Sequence, residues 1–508
     1  MIALLSVPDA KVSSAQPGKG PTRLRRCLAG ITPLLLAAAS VNADYRDDIG
    51  YTLLVSELGS EVPNGAGVRV AHIEAASRVD DNPPAWMPNR SNPQFIGKTL
   101  TNKSFATPGI FSGHATGTGS HFYGNRGSIS PGIAKVSNYL STHWLGQGLL
   151  RTGSGTPDFR LQPRVSASRI GNHSWIGTTD AFDAEVLSRL DWIIDRDEFV
   201  QITGYTGSMT QPLLSNAYNV IAVNQINAAA TPGSAEVGGI YTAGRTKPDL
   251  VVPASHTSQA VPKVASATAL LIGAAHERPS LSTDPLQKSV TNRNGDTIFN
   301  AERAEVIKAA LMAGAKRRTG NTSGADINDY RADSNNETEN GLDRRFGAGQ
   351  LNIYNSYRII AAGEQNSRED SDENSGSIGP IGFDYDPAFG GFDKSNAQAT
   401  YFFSTSTETA RLRASLVWNL LIDGGSAFNF DQAATLHNLD LFLFDVTGQD
   451  NWVLISSSAS TTENTENLWL LLDSGKDYAL QVKPGSGPTS FRWDYALAWH
   501  IQPSRSAD

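Results

Sequence analysis

The sequence has almost no sulfur: one cysteine, Cys27, and four methionines in 508 residues. A single thiol excludes an internal disulfide framework and any cysteine-ligated zinc site. Basic residues do not predominate, with 42 Lys and Arg against 50 Asp and Glu and a net charge of −8. No basic footprint for nucleic acid is present. After residue 43 no apolar run approaches the roughly 18 to 20 residues that a membrane span needs. The 47 glycines and 25 prolines keep no fixed period, which excludes a collagen-like chain. What remains, 39% hydrophobic and 18% charged, can bury a sizeable core without staples, and its length suits several domains.

The N-terminal residues read as a targeting segment. Arg23, Arg25 and Arg26 precede an apolar stretch, Leu28 to Ala39, that ends at Val41-Asn42-Ala43. A positive region, a short apolar region and a small-x-Ala site make a signal peptide over 1–43, cleaved after Ala43. The chain is therefore expected to be secreted or periplasmic. A plainer alternative is an irregular start with one buried helix. Removing 1–43 takes away five basic residues and one acidic one, shifts the net charge from −8 to −12, and leaves no cysteine.

Two composition shifts divide the rest. Over 44–363, β-branched apolar runs alternate with helical patterns, the mark of an α/β domain. Residues 364–380 are acidic, rich in Ser and Gly, and read as a solvated linker or long loop. In 381–508 seven strand-like runs (399–406, 411–420, 439–446, 452–459, 466–473, 478–484 and 495–502) are separated by Gly, Ser, Asn and Asp turns. They predict an antiparallel β-sandwich.

Three separated segments of the first region carry chemistry. Gly67 to Glu74 is a β-branched strand ending in a carboxylate, where a parallel sheet presents functional side chains. Ser112-Gly113-His114-Ala115-Thr116-Gly117-Thr118-Gly119 puts a histidine in the first turn of a tightly packed helix. After Lys247-Pro248-Asp249-Leu250-Val251-Val252-Pro253, Ser258 opens a long Ala, Ser and Leu helix, where free backbone N–H groups can stabilise an oxyanion. Singly, each has a plainer reading: a solvated strand end, a structural histidine, an N-cap serine. Together their chain order, carboxylate then His then Ser, is that of the subtilisin triad.

Residues 65 to about 357 resemble a divergent subtilisin-like serine peptidase of the subtilase family. Gly113–Thr118 is similar to the family's Gly-Thr-His-Val-Ala-Gly-Thr box, and Pro131-Gly132-Ile133-Ala134 to the turn that follows it. Lys247–Pro253 is similar to Lys-Pro-Asp-Leu-Val-Ala-Pro, and Thr257-Ser258-Gln259-Ala260-Val261-Pro262 to Thr-Ser-Met-Ala-Ser-Pro. Ala309–Ala313 and Gly347–Asn352 resemble the closing helix and turn. The resemblance implies a subtilisin-like α/β fold, a parallel sheet flanked by helices, here followed by a jelly-roll-like antiparallel β-sandwich. It implies Ser258 as nucleophile, His114 as general base and acid, and Glu74 as the carboxylate that orients the imidazole. Asn172 to Gly177 is similar to the family's cleft strand. An extended polypeptide would then bind beside Trp175, Ile176 and Gly177, with Gly204 at the end of the next strand.

The departures are specific. The family's acid is Asp, whereas here it is Glu74. Val200 to Gly207 aligns with the strand carrying the oxyanion Asn and puts Tyr205 at that position. Lys263 replaces a His after Pro262, His256 replaces a Gly, and the stretch from Pro253 to Ser258 is short. A second box, Gly207-Ser208-Met209-Thr210-Gln211-Pro212, is followed by a strand rather than a buried helix, which leaves Ser258 as the nucleophile. The 23 residues of 44–66 leave no room for a long folding propeptide, and Tyr51 to Gly59 reads as a short helix. His72 and His173 read as packing residues.

No cofactor is required by these motifs. The acids of 326–343 (Asp326, Asp329, Asp333, Glu337, Glu339, Asp343) are hard oxygen ligands of the kind that suit Ca²⁺. Their spacing matches no EF-hand, and a polar surface loop is the competing reading. No zinc-type histidine spacing occurs, and the oligomeric state is not legible. The expectation is an exported serine endopeptidase acting on extended polypeptides. The alternatives are a catalytically weak or inactive subtilase-fold binding protein, or a carbohydrate-binding sandwich on a relic front domain.

Overall fold

The computed structural model describes residues 44–504 except 79–81, 106, 154–157, 180, 212, 230–231, 329–333, 370–374, 391–395, 449–450 and 487–490, together with the backbone of Ala3–Leu5. Apart from Ala3–Leu5, the expected signal peptide lies outside the described residues.

Seven strands form one all-parallel sheet. In chain order they are β1 (Val70–Glu74), β2 (Thr99–Asn102), β3 (Lys135–Leu140), β4 (Ile170–His173), β5 (Val200–Gly204), β6 (Ile221–Gln225) and β7 (Leu250–Val252). Their spatial order is β7-β6-β5-β4-β1-β3-β2, with parallel registers such as Val70↔Val136 and Val70↔Ile170. The inner strands β1, β4 and β5 are buried throughout, as expected when helices cover both faces, whereas the edge strand β2 is partly exposed.

Those helices are α1 (Gly113–Tyr123), α2 (Asp183–Asp197), α3 (Thr257–His276), α4 (Ala304–Ala313) and α5 (Ile353–Ala362). In α3 every residue but Gln259 and His276 is buried. Its Ala, Ser and Gly positions let neighbours approach closely. Ser130 Oγ donates to the Ser266 carbonyl at 2.6 Å, and the Ile129 N–H donates to Ser266 Oγ at 3.2 Å. The Lys-Pro-Asp segment is a buried clasp. Asp249 accepts from the Ala222 N–H at 2.6 Å, pairs with Lys247 at 3.3 Å, and faces Lys308 at 3.7 Å. It thereby ties the start of β7 to β6, one short loop before Ser258. The short helix Tyr51–Leu58 forms as expected.

The second unit has eight main strands: β8 (Ile381–Phe389), β9 (Ala399–Ser404), β10 (Ala410–Val417), β11 (Leu439–Asp445), β12 (Val453–Ser458), β13 (Thr465–Leu472), β14 (Asp477–Pro484) and β15 (Trp493–Pro503). They form two antiparallel four-stranded sheets, β8-β15-β10-β13 and β9-β14-β11-β12. Tyr401, Leu412, Leu441, Leu480, Leu497 and Trp499 build the core between them. The first sheet is covered on both faces, since Phe383, Tyr385, Val417, Ala496 and Ala498 join the core of the α/β unit. This explains why β15 is buried almost continuously, whereas β11 alternates between buried and partly exposed positions.

The described residues of the intervening segment hold no helix and only isolated bridges, in keeping with the long-loop reading. Rather than being solvated throughout, the segment docks on the sandwich edge. Gln365 N–H donates to the Phe383 carbonyl and Arg368 N–H to Thr400, both at 2.8 Å, and Ile378 N–H donates to Phe402 at 2.9 Å. Its acidic composition misleads because Glu364 is buried, accepting from the Asp284 N–H and Asn300 Nδ2 at 2.7 and 2.8 Å.

Candidate active site

Glu74 ends β1 at the carboxyl edge of the sheet, where its side chain is buried among hydrogen-bond donors. One oxygen accepts from His114 Nδ1 at 2.8 Å. The other accepts from His72 Nε2 at 2.8 Å and Thr118 Oγ1 at 2.7 Å. His72 is held in turn, with Nδ1 2.9 Å from the Tyr123 hydroxyl. That network orients the ring, with Nε2 on the carboxylate and Nδ1 on the phenol. His72 is therefore more than the packing residue the sequence suggested. The period of two along a strand puts residues 72 and 74 on one face, a signal that was legible.

Burial alone would raise the Glu74 carboxyl. The adjacent His114, by charge and hydrogen bond, and the bonds and charge of His72 outweigh it and hold the group at about 2. Glu74 is thus an anion throughout the neutral range.

His114 sits in the first turn of α1 because Ser112 caps that helix, accepting from the Ala115 N–H at 2.9 Å. Thr118, one turn on, shares the carboxylate. Gly119 is required by close approach, since a Cβ there would lie 2.7 Å from the Tyr123 hydroxyl.

Ser258 is the second residue of α3. The preceding His256 contributes no side-chain cap, and its carbonyl takes the N–H groups of Gln259 and Ala260. The N–H groups of Thr257 and Ser258 have no acceptor among the described residues, as the first turn of a helix requires. Pro262 has no N–H to give the Ser258 carbonyl, which loosens this turn. No hydrogen bond joins Ser258 Oγ to His114 among the described residues. Such bonds are often long in the absence of substrate. Thr257 Oγ1 donates to Asn224 Oδ1 at 2.8 Å, anchoring the helix start to the end of β6. Asn224 was missed, because no motif marks it.

Tyr205, expected at the oxyanion position, is buried and donates its phenolic proton to the Gly233 carbonyl at 2.5 Å. In this structure that proton is engaged with the backbone. Gly204 is pressed against the start of α3, where an added Cβ would lie 3.3 Å from Thr257 Cγ2. The second serine box around Ser208 lies in turns with no following helix.

Trp175 is buried and packs T-shaped with His173, centroids 5.6 Å apart, so its indole is not presented at the surface. His173 is fully buried, held down at about 4 chiefly by burial, and bonded to Gln201 at 2.8 Å. Ile176 and Gly177 belong to a short strand, Ile176–Thr178, outside the main sheet. It pairs antiparallel with the backbone of Ala3–Leu5, in the register Leu4↔Gly177. The edge therefore accepts an extended segment.

Of the proposed calcium loop, Asp326 accepts from Thr319 Oγ1 at 3.0 Å, and Asp343 accepts from the N–H groups of Arg345 and Phe346 at 2.8 and 2.9 Å. These acids brace turns. Asp329 and Asp333 lie outside the described residues. No described helix is long and apolar enough to cross a membrane.

No protein-family model and no curated protein matches this chain. Among solved structures, the prenylagaramide maturation protease PagA aligns at 17% identity and a TM-score of 0.35, over 60% of this chain and 98% of its own. A periplasmic inhibitor of g-type lysozyme, PliG from Aeromonas hydrophila, aligns at 14% identity and a TM-score of 0.17, over 25% of this chain and 94% of its own. A family 35 carbohydrate-binding module from Cellvibrio japonicus aligns at 12% identity and a TM-score of 0.16, over 28% of this chain and 92% of its own.

Proposed function

We propose that this protein is an exported serine endopeptidase that cleaves extended polypeptides through Ser258, His114 and Glu74. The observation that carries the reading is the buried Glu74 anion, bonded at 2.8 Å to His114 Nδ1. That bond leaves the opposite ring nitrogen, Nε2, to serve as base for a helix-terminal serine. In the first step His114 takes the Ser258 proton as Oγ attacks the scissile carbonyl, and the imidazolium is stabilised by Glu74. The oxyanion develops beside the Ser258 N–H, at the positive end of α3. His114 then protonates the leaving amine, and water attacks the acyl-enzyme with His114 again as base. The pairing of Ile176–Thr178 with an extended segment supports strand addition as the mode of substrate binding.

A second reading, a peptide-binding protein of weak or no activity, is favoured by the engagement of the Tyr205 hydroxyl with Gly233. Loss of a side-chain oxyanion donor typically costs about 10²- to 10³-fold in turnover. Labelling with a fluorophosphonate separates the two. The enzyme reading expects labelling of the wild type, none of Ser258→Ala, and a drop of about 10⁴-fold for Glu74→Gln. Equal labelling of wild type and Ser258→Ala, or none of either from pH 6 to 9, removes the enzyme reading.

A further inference from the structure

Where the α/β unit meets the sandwich, four carboxylates converge on one arginine. Asp195 comes from the last turn of α2, Glu198 from just beyond it, Glu305 from the first turn of α4, and Asp494 from the start of β15. Arg303 is committed to two of them, pairing with Glu198 at 2.7 Å and with Asp494 Oδ2 at 3.2 Å. Asp494 Oδ2 also accepts from the Tyr385 hydroxyl. Glu198 is further satisfied by the Ala304 N–H at 2.7 Å. Asp195 and Glu305 share only the Asn419 amide, which reaches Asp195 at 3.4 Å and lies closer to Glu305 Oε1.

The remaining oxygens are the anomaly. Glu305 is 1% exposed, and its Oε2 has no hydrogen-bond partner; neither does the buried Oδ1 of Asp494. A buried acceptor left unmade is costly, more so when charged. Oxygens from Asp195, Glu305 and Asp494 all lie within 4.8 Å of one another, and these three form the one such grouping among the described residues. Calcium binds oxygen at about 2.3 to 2.6 Å, so oxygens on opposite sides of one ion are about 5 Å apart. The three carboxylates can therefore share a single ion.

We propose that Asp195, Glu305 and Asp494 form a Ca²⁺ site that clasps the sandwich to the α/β unit. All three donors are carboxylate oxygens, the ligands a hard cation takes, with no nitrogen or sulfur donor to favour zinc. The Asp494 side chain is 18% exposed, so the cluster lies close to solvent, from which waters would complete a shell of six to eight. Since the ligands come from both units, the ion would act on their docking rather than on Ser258, about whose chemistry this site is silent.

The test is terbium luminescence on the full chain after removal of metal with EDTA. Trp493 is next to Asp494, and its indole N–H donates to the Asn419 carbonyl at 2.8 Å, which makes it the antenna. Excitation of tryptophan should give Tb³⁺ emission that Ca²⁺ competes away. Glu305→Gln and the more exposed Asp494→Asn should each weaken Tb³⁺ binding at least tenfold, while Ser258→Ala leaves it unchanged. Calcium should raise the Tm of the wild type and of Ser258→Ala, and leave both carboxylate variants where they were. The proposal is overturned if wild type gives no sensitised emission. It is equally overturned if both carboxylate variants match the wild type in emission and in calcium-dependent Tm.

Discussion

His72 and Glu74 stand two residues apart on one strand and share a 2.8 Å hydrogen bond, so the strand carrying the acid also carries a donor for it. The second oxygen is thereby left to His114. A buried carboxylate with one donor fewer is costlier to fold and freer to rotate. His72→Phe should lower stability by about 1 to 3 kcal/mol, the usual cost of a buried group left unsatisfied. The sign of its pH dependence is fixed. Glu74 is depressed to about 2 from an ordinary 4.5, so its contribution is present above 4.5 and fades as pH falls through 2. The Tm gap between wild type and His72→Phe should be wide at pH 7 and narrow towards pH 3. A constant gap would show that His72 only fills space.

The Tyr205 and Asn224 side chains make opposite predictions. Tyr205→Phe removes a bond to the Gly233 carbonyl and should cost about 1 kcal/mol of stability, with fluorophosphonate labelling changed less than threefold. Asn224→Ala frees Thr257, whose hydroxyl it now holds at 2.8 Å, and should slow labelling of Ser258 at least tenfold. Labelling rates measured beside thermal melts separate the two effects. A hundredfold slower Tyr205→Phe would return the phenol to the oxyanion site.

What was legible in the sequence was set by short-range rules. The seven runs after residue 398 became strands, with boundaries shifted by up to three residues, because side-chain period and turn residues are local properties. β8 was missed because its sequence, Ile381 to Phe389, contains Asp384, Asp386 and Pro387. It is a strand because α5 and β15 bury it, and no local signal carries that. The docking of the acidic stretch 364–380 was hidden for the same reason, being a tertiary contact. In the site, the order of Glu74, His114 and Ser258 was legible from motifs. The engagement of Tyr205 with Gly233 and of Asn224 with Thr257 depends on residues far apart in the chain meeting at the sheet edge.

The strand Ile176–Thr178 yields a prediction about access. Ala3–Leu5 occupies its backbone edge, and a peptide bound by strand addition would need the same groups. A chain beginning at Asp44 lacks that segment. It should react with a peptidyl fluorophosphonate faster than the full chain, while a small fluorophosphonate without a peptide labels both alike. Equal rates with the peptidyl probe would mean that substrate does not use this edge.

Glu364 supplies a pH test of how the intervening segment is anchored to the α/β unit. Its carboxyl accepts from the Asp284 N–H at 2.7 Å, Asn300 Nδ2 at 2.8 Å and the Thr283 N–H. Burial nevertheless dominates and pushes it up to about 7, from an ordinary 4.5. A carboxyl raised on folding favours the folded chain while protonated. Its contribution is therefore full below 4.5 and is lost as pH climbs through 7. Glu364→Gln keeps the shape of the protonated acid and cannot ionise. Between pH 5 and pH 8.5 the wild type should lose, relative to Glu364→Gln, on the order of 2 to 3 kcal/mol. Thermal melts of both chains across that range read the difference, and curves that stay parallel would show that Glu364 does not titrate on folding.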